Sequence, residues 1–109
     1  MGGFDNHDNH LKAHGIGMNN VDGALSAFQA AMAELGMEDQ VTLFTASDFS
    51  RTWVSNGQGS DHGWGASHLV MGGAVNGGDF YGDMPIIEPG SLDSVSDHGR
   101  CIPTIAVDE

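Results

Sequence analysis

The sequence predicts an α/β fold, and three runs of residues support this prediction. An apolar stripe with helical spacing occupies residues 20–35, a β-branched apolar run follows at 40–47, and another apolar run lies at 68–75. A helix, a short turn and a buried strand form half of a βαβ unit, in which the strands are parallel. We therefore expect a parallel sheet with flanking helices.

Five apolar residues define the predicted helix at 20–35. They are Val21, Leu25, Phe28, Met32 and Leu35. Their spacings of four, three, four and three place them on one face of a helix. Asn20 is suited to cap its start, and Gly36 stands where a C′ glycine ends a helix. Residues 1–19 are rich in Asn, His and Gly and are predicted to form a polar loop.

Two strands are predicted after the helix. The run "QVTLFTAS" at 40–47 has the length of a strand and is apolar enough to be buried on both faces. The run "HLVMGGAV" at 68–75 predicts the second strand, and the glycine-rich residues 54–67 are predicted to be a loop. Ligands of open α/β sheets bind just beyond the carboxyl ends of the strands, where Asp48 and Arg51 are expected.

The C-terminal part is predicted to contain little regular structure. An Asn-Gly pair at 76–77 favours a turn into a short hairpin, and residues 82–100 resemble a loop. Residues 102–107 are expected to be extended, and Asp-Glu at 108–109 resembles the cap and first turn of a further helix. We therefore expect the chain to be a portion of one larger domain that is incomplete at both ends.

Composition narrows the classes of function. The net charge is −12, which argues against nucleic acid or an anionic membrane surface as a partner, because both need basic patches. No apolar run approaches the ~20 residues of a membrane span, and the N-terminus lacks the basic start and apolar core of a signal peptide. Cys101 is the single cysteine and is expected to be a small buried apolar residue. Seventeen glycines raise the entropy cost of folding and predict marginal stability.

Two segments are rich in groups that bind divalent transition metals. The first is "FDNHDNH" at 4–10, and the second is "SDHGWGASH" at 60–68. The candidate ligands are Asp5, His7, Asp8, His10, Asp61, His62 and His68. Neutral imidazole and carboxylate bind such ions at about 2.0–2.2 Å, so the ligands must converge closely. A turn-forming or solvated role stays open for each single residue, and Asp8 in particular can form an Asx-turn.

Arg51 has two interpretations. A guanidinium beside a metal cluster suits bidentate binding of a tetrahedral oxyanion. The alternative is a salt bridge with one of the fifteen acidic residues. No phosphate-binding loop and no Gly-x-Ser-x-Gly nucleophile elbow occur in the sequence, and no activated nucleophile is visible.

Four segments resemble a known family. They are "GGFDNH", "TLFTASDFSRT", "NGQGSDHGWGASHLVMGGAVNGGDFYG" and "GRCIPTIAVDE". Together they closely resemble the C-terminal part of a bacterial family known as domain of unknown function 1501, over nearly the whole chain. That family is placed in the alkaline phosphatase and sulfatase superfamily, and its members are often exported. The resemblance implies that residues 1–109 are the C-terminal portion of an alkaline-phosphatase-like parallel sheet, without the N-terminal part that carries the nucleophile.

The resemblance also implies a metal site. In the superfamily an adjacent Asp-His pair binds one metal of a two-metal site, and Asp61-His62 matches this pair. His68 is the candidate for a second contact. Asp5 matches another ligand, and its partner is His7 or His10, because the usual Asp-x-x-x-His spacing is absent. The implied site binds one or two divalent ions (Zn, Mn or Fe) through the ligands Asp5, His7, Asp61, His62 and His68, with Arg51 at the substrate anion.

Two functions follow as hypotheses. The first is a metal-binding part of a hydrolase-like domain that acts on small phosphate or sulfate esters, where paired metals clamp the attacking and leaving oxygens. The chain alone is expected to be inactive, because it carries no activated nucleophile. The alternative is a non-catalytic binding or surface protein with at most a structural metal. In either case the two ligand segments should lie within roughly 8 Å of one another, since two-metal sites span only ~3.5–4 Å.

Overall fold

A computed structural model describes residues 1–88 and 90–105 of the chain. Its elements are α1 (His10–Leu35), β1 (Leu43–Phe44), β2 (Ser50–Ser55), β3 (Ser60–Gly63) and β4 (Val70–Met71). The strands form two separate two-stranded sheets, β1 with β4 and β2 with β3. The mixture of helical and β structure expected from the sequence is therefore present.

The predicted parallel sheet, and with it an alkaline-phosphatase-like sheet, does not occur among residues 1–88 and 90–105, because both sheets are antiparallel. Phe44 pairs with Val70, and Arg51 pairs with His62. Parallel strands need a long crossover connection, which is usually a helix. The chain between β1 and β4 contains the β2–β3 hairpin instead, and α1 precedes β1. No βαβ unit is therefore formed by the described strands.

The helix begins ten residues earlier than predicted, at His10 rather than Asn20. Its N-cap residue, Asn9, has a left-handed backbone and makes no side-chain capping hydrogen bond. The glycines and asparagines of this part have low helix propensity, which is why the sequence favoured a loop. Tertiary packing outweighs that propensity, since Gly17 is buried and a Cβ there would lie 2.8 Å from the ring of Phe4.

The helix ends where the sequence predicts. Gly36 adopts a left-handed backbone with φ of 64°. Its N–H donates to the carbonyl of Ala33, and the N–H of Met37 donates to the carbonyl of Met32. These two bonds form a Schellman motif, in which glycine avoids the steric cost of positive φ. The prediction of Gly36 as the C′ residue is confirmed.

The β2–β3 hairpin lies largely within residues 54–67, which the sequence predicted to be a loop. Thr, Trp and Val in β2 favour a strand. The side-chain oxygen of Asn56 accepts hydrogen bonds from the N–H groups of Gln58 and Gly59, which closes the connection. The loop prediction is therefore wrong for this segment, and the hairpin brings Arg51 and His62 to opposite positions on neighbouring strands.

The other predicted strands are shorter than expected or absent. Within 40–47 only β1 is a strand, and within 68–75 only β4 is one. Burial on both faces is wrong for β1, because Phe44 is exposed. The described residues after β4 contain no further strand, so the hairpin after 76–77 is not formed, whereas the loop prediction for 82–100 holds apart from a bridge between Ser94 and Cys101.

At the C-terminal end, residues 102–105 form neither a strand nor a helix, and the expectation of an extended segment there stays a prediction. Residues 106–107, the rest of the predicted extended segment, lie outside the described residues, as does the proposed helix start at 108–109. Cys101 is buried, as the sequence predicts. No helix among the described residues is both long enough and apolar enough to cross a membrane.

The described residues enclose very little apolar core. Cys101, with 7% of its surface exposed, is the buried hydrophobic residue among them. The radius of gyration is 16.0 Å, against about 13 Å for a compact domain of similar length. Burial of apolar surface is the main favourable term in folding, so this arrangement gains little stability by itself.

We therefore expect the purified chain to unfold at low temperature and without a sharp transition. Mesophile domains usually melt at about 45–65 °C, and this chain should melt below that range because its apolar side chains remain in water. Thermal melting followed by circular dichroism measures the midpoint. A cooperative transition within or above the range of about 45–65 °C would contradict the prediction.

Candidate metal centre

The N-terminal segment, residues 4–7, lies against the β2–β3 hairpin. The N–H of Ser60 donates to the carbonyl of Asn6 at 3.4 Å, and the side-chain amide of Asn56 donates to the carbonyl of His7 at 3.0 Å. Asn6 is buried, so the segment is in close contact with the hairpin rather than free in solvent. This contact brings the first ligand segment to the second.

Gly59 makes the close approach possible. A Cβ at this position would overlap the backbone carbonyl of Asn6 and would lie 2.6 Å from the carbonyl carbon and oxygen of His7. Real Cβ atoms do not approach backbone atoms this closely, so only glycine fits without movement of the segment. Gly59, the second glycine of the "NGQG" turn, thus determines how near Asp5 and His7 come to β3.

The Arg51 side chain joins the same two parts of the chain. Its Nε and Nη2 donate to the carbonyl of Phe4 at 3.3 and 3.0 Å, and Nη1 donates to the carbonyl of Ser60 at 2.9 Å. Nη2 also lies 2.9 Å from Asp5 Oδ1, and the Arg51 side chain is only 15% exposed. The salt bridge that the sequence left open for Arg51 is therefore present. Its role at a substrate anion stays a prediction.

Asp5 is the centre of the cluster. Its Oδ1 lies 2.8 Å from His62 Nε2 and 3.1 Å from His7 Nε2. One potential ligand atom from each of Asp5, His7 and His62 lies within 4.8 Å of the other two. Asp61 Oδ1 is 3.5 Å from His7 Nδ1 and borders the cluster. The expectation that the two segments lie within roughly 8 Å is confirmed.

Aromatic stacking orients His62. Its ring lies parallel to the ring of Phe49, with centroids 4.0 Å apart and an interplanar angle of 5°. The ring of His7 stacks at 4.9 Å and 29°. Phe49 was not among the predicted site residues, although it precedes Arg51 by two positions and therefore falls on the same face of an extended strand. Arg51 Cζ lies 5.3 Å from the Phe49 ring centroid.

The electrostatics of the cluster favour an ionised Asp5. Its hydrogen bond with His62, followed by that with Arg51, holds the pKa of the Asp5 carboxyl below its ordinary value. The side chains of Asp5, His7 and His62 are 59%, 51% and 47% exposed. An ion can therefore reach a charged carboxylate and two imidazoles directly from solvent.

The remaining predicted site residues lie elsewhere. His68 Nδ1 is 3.3 Å from Thr45 Oγ1, and neither residue belongs to the Asp5 cluster. The sequence left His7 and His10 open as the partner of Asp5. The structure places His7 beside Asp5, whereas His10 is the first residue of α1 and lies outside the cluster. Asp8 also lies outside the cluster. The structure thus brings together three of the five ligands implied by the resemblance, with Asp61 alongside and His68 apart.

A groove borders the cluster on one side. It has a volume of about 850 Å³ and is lined by residues of α1, β1 and the N-terminal segment. Asp5, Arg51 and His68 all contribute to its wall. A cavity of this size is in the range that accommodates small-molecule ligands.

No curated protein and no solved structure matches the chain. A family model described as "Protein of unknown function (DUF1501)" matches residues 1–97. The matched range includes all four residues of the N-terminal segment and the whole β2–β3 hairpin. The chain therefore belongs to the DUF1501 family of proteins of unknown function.

Proposed function

We propose that the chain is a divalent-metal-binding module whose ligands are Asp5, His7 and His62. The observation that carries the proposal is their convergence: Asp5 and His62 are 57 positions apart in sequence, yet their ligand atoms are 2.8 Å apart. Three backbone-level features support it, namely the buried Asn6, the close approach at Gly59 and the Arg51 bonds to Phe4. Together they hold the segments in contact independently of an ion.

The donor set favours Zn, Mn or Fe as the ion. Two imidazoles and a carboxylate suit these metals, whereas Ca prefers an all-oxygen shell. Asp61 is close enough to His7 to supply a fourth ligand after a side-chain rotation. Asp5 Oδ1 faces both histidines and Arg51, so a rotation of the carboxylate would let one oxygen bind the ion while the other keeps the guanidinium.

We further propose that this site belongs to a hydrolase-like domain of the alkaline phosphatase and sulfatase type, acting on small phosphate or sulfate esters. The family-level resemblance supports this, and so does the groove beside Asp5 and Arg51, which has room for a small ester. A bound ion would polarise a phosphoryl or sulfuryl oxygen. The chain's own contribution is to present Asp5 and Arg51 to the groove, with His7 and His62 beside Asp5.

A structural metal in a non-catalytic binding protein is the second candidate, and one observation favours it. Four N–H groups of Arg51 already donate within the protein, to Phe4, Ser60 and Asp5. The guanidinium therefore links the N-terminal segment to the hairpin, and it retains few N–H donors for an anion. In this case an ion would be a second link between the same two parts.

Calorimetric titration with Zn²⁺ and Mn²⁺ tests the metal site. We expect His62→Ala to lose the tight binding, because the variant removes one of three ligands, while His98→Ala retains it. His98 is an exposed histidine outside the cluster and serves as the matched control. Binding should also weaken at mildly acidic pH, since protons compete for imidazole lone pairs. Equal affinities of the two variants would exclude the cluster and assign the binding to diffuse acidic charge.

Binding of inorganic phosphate separates the two candidate functions. In a hydrolase-like site, the Zn²⁺-loaded chain should bind phosphate and the metal-free chain should not. In a structural site, Zn²⁺ should raise the melting temperature by mass action without creating a phosphate site. Binding is the appropriate readout because the sequence shows no activated nucleophile beside these ligands.

A further inference from the structure

We infer that His10 and His14 form a second transition-metal site, which is independent of the Asp5 centre. The two residues are one helical turn apart in the first part of α1. Their ring centroids are 5.2 Å apart with an interplanar angle of 32°. Side chains at positions i and i+4 lie on the same face of a helix, and His pairs with this spacing bind Zn²⁺ in helical metalloprotein motifs.

The distance between the rings fits a shared ion. An imidazole nitrogen binds Zn²⁺ at about 2.0–2.1 Å, which places each ring centre about 3.2 Å from the ion. Two such rings at bond angles of about 90–110° have centres about 4.5–5.2 Å apart. The observed 5.2 Å is at the upper end of this range, so only a small side-chain rotation is needed.

The surroundings restrain the pair and leave its nitrogens available. The His14 ring contacts the Phe4 ring edge-on at 5.9 Å, and Phe4 is itself packed against Gly17. The backbone N–H of His10 donates to the carbonyl of Gln58, which fixes the start of the helix on the hairpin turn. Within the described residues neither ring makes a hydrogen bond, so the lone pairs are free to bind an ion.

The pair lies in the part of α1 that most needs support. Asn9 makes no side-chain capping bond, and Gly15 and Gly17 lower the helix propensity of the second turn. An ion held by His10 and His14 would fix both turns in the helical conformation. The ligand class is a divalent transition ion with affinity for imidazole, namely Zn²⁺, Ni²⁺ or Cu²⁺, completed by water. Two ligands should bind it more weakly than the three of the Asp5 centre.

Titration of the whole chain with Ni²⁺, followed by calorimetry and far-UV circular dichroism, tests this site. We expect two classes of site in the unmodified chain, and a gain of helical signal as the weaker one fills. His10→Ala and His14→Ala should each lose the weaker class and the helical gain, with affinity reduced at least about tenfold. Both variants should remain folded, because Ala has a higher helix propensity than His.

The variants of the two centres separate the two claims. Asp5→Asn should remove the tighter class and leave the Ni²⁺-dependent helical gain intact, so a failure of the proposed function does not affect this result. If His10→Ala and His14→Ala bind Ni²⁺ like the unmodified chain, the second site does not exist. A loss in only one of the two variants, or a weak site that fills without a helical gain, would likewise overturn the shared-ion geometry.

Discussion

Replacing Asp5 with Asn is expected to raise the dissociation constant of the chain for Zn²⁺ by about 100-fold or more. Loss of residues that merely support a metal ligand costs about 10–100-fold, and Asp5 is itself a proposed ligand, with a nitrogen of each histidine near its Oδ1. The amide carries no charge and is a weak ligand for these ions. It retains an oxygen for Arg51, however, so the N-terminal segment should stay in place while binding is lost.

Asp8→Asn is the matched control for this prediction. It removes the same charge from a neighbouring position, and Asp8 is an exposed residue outside the cluster. Isothermal titration of both variants with Zn²⁺ gives the comparison. Similar losses in both would show that net negative charge holds the cation, and an unchanged Asp5→Asn variant would remove Asp5 from the ligand set.

Gly59→Ala should weaken Zn²⁺ binding although it alters no ligand. The added Cβ would lie 2.6 Å from the His7 carbonyl group and would force the N-terminal segment away from β3. Overpacking of this kind costs about 1–3 kcal/mol, and each 1.4 kcal/mol is tenfold in affinity, so a loss of about 5- to 150-fold is expected. Titration with Zn²⁺ measures this loss, and circular dichroism verifies that α1 is retained.

Gly2→Ala is the appropriate comparison for Gly59→Ala. An added Cβ at Gly2 meets nothing within 4 Å, so this variant should bind like the unmodified chain. If Gly59→Ala also binds normally, the close approach of the segment to the hairpin is not needed for the metal centre. If Gly2→Ala is equally impaired, the effect belongs to glycine content in general.

The sequence identified the residues of the Asp5 cluster better than the fold that brings them together. Asp5, His7 and His62 could be selected because carboxylate and imidazole are recognisable ligands wherever they occur. They meet where the N-terminal segment lies against the β2–β3 hairpin, and this contact between distant parts of the chain cannot be recognised from a local sequence pattern. Phe49 was not predicted, because an aromatic residue beside a strand is usually a packing residue of the core. Its stacking on His62 becomes visible only in three dimensions.

The helix shows the same division between local and non-local signals. Its end at Gly36 depends on a backbone conformation that glycine alone adopts easily, so a local pattern was sufficient. Its start at His10 depends on the packing of Gly17 against Phe4, which lies outside the helix and is not part of a local capping pattern. The error had a consequence for function, because a loop at 1–19 hides the i, i+4 relation of His10 and His14.

The hydrogen bonds of Arg51 also determine how insertions at different places in the chain should affect metal affinity. Arg51 and Asp5 are 46 positions apart, so their contact closes a long loop of chain. The entropy cost of closing a flexible loop grows only with the logarithm of its length, by about 0.6 kcal/mol for each doubling. A few residues added between α1 and β1 should therefore leave the metal affinity nearly unchanged. One residue added between β2 and β3 would alter the alignment of Arg51 with His62 and move the Arg51 guanidinium away from His62.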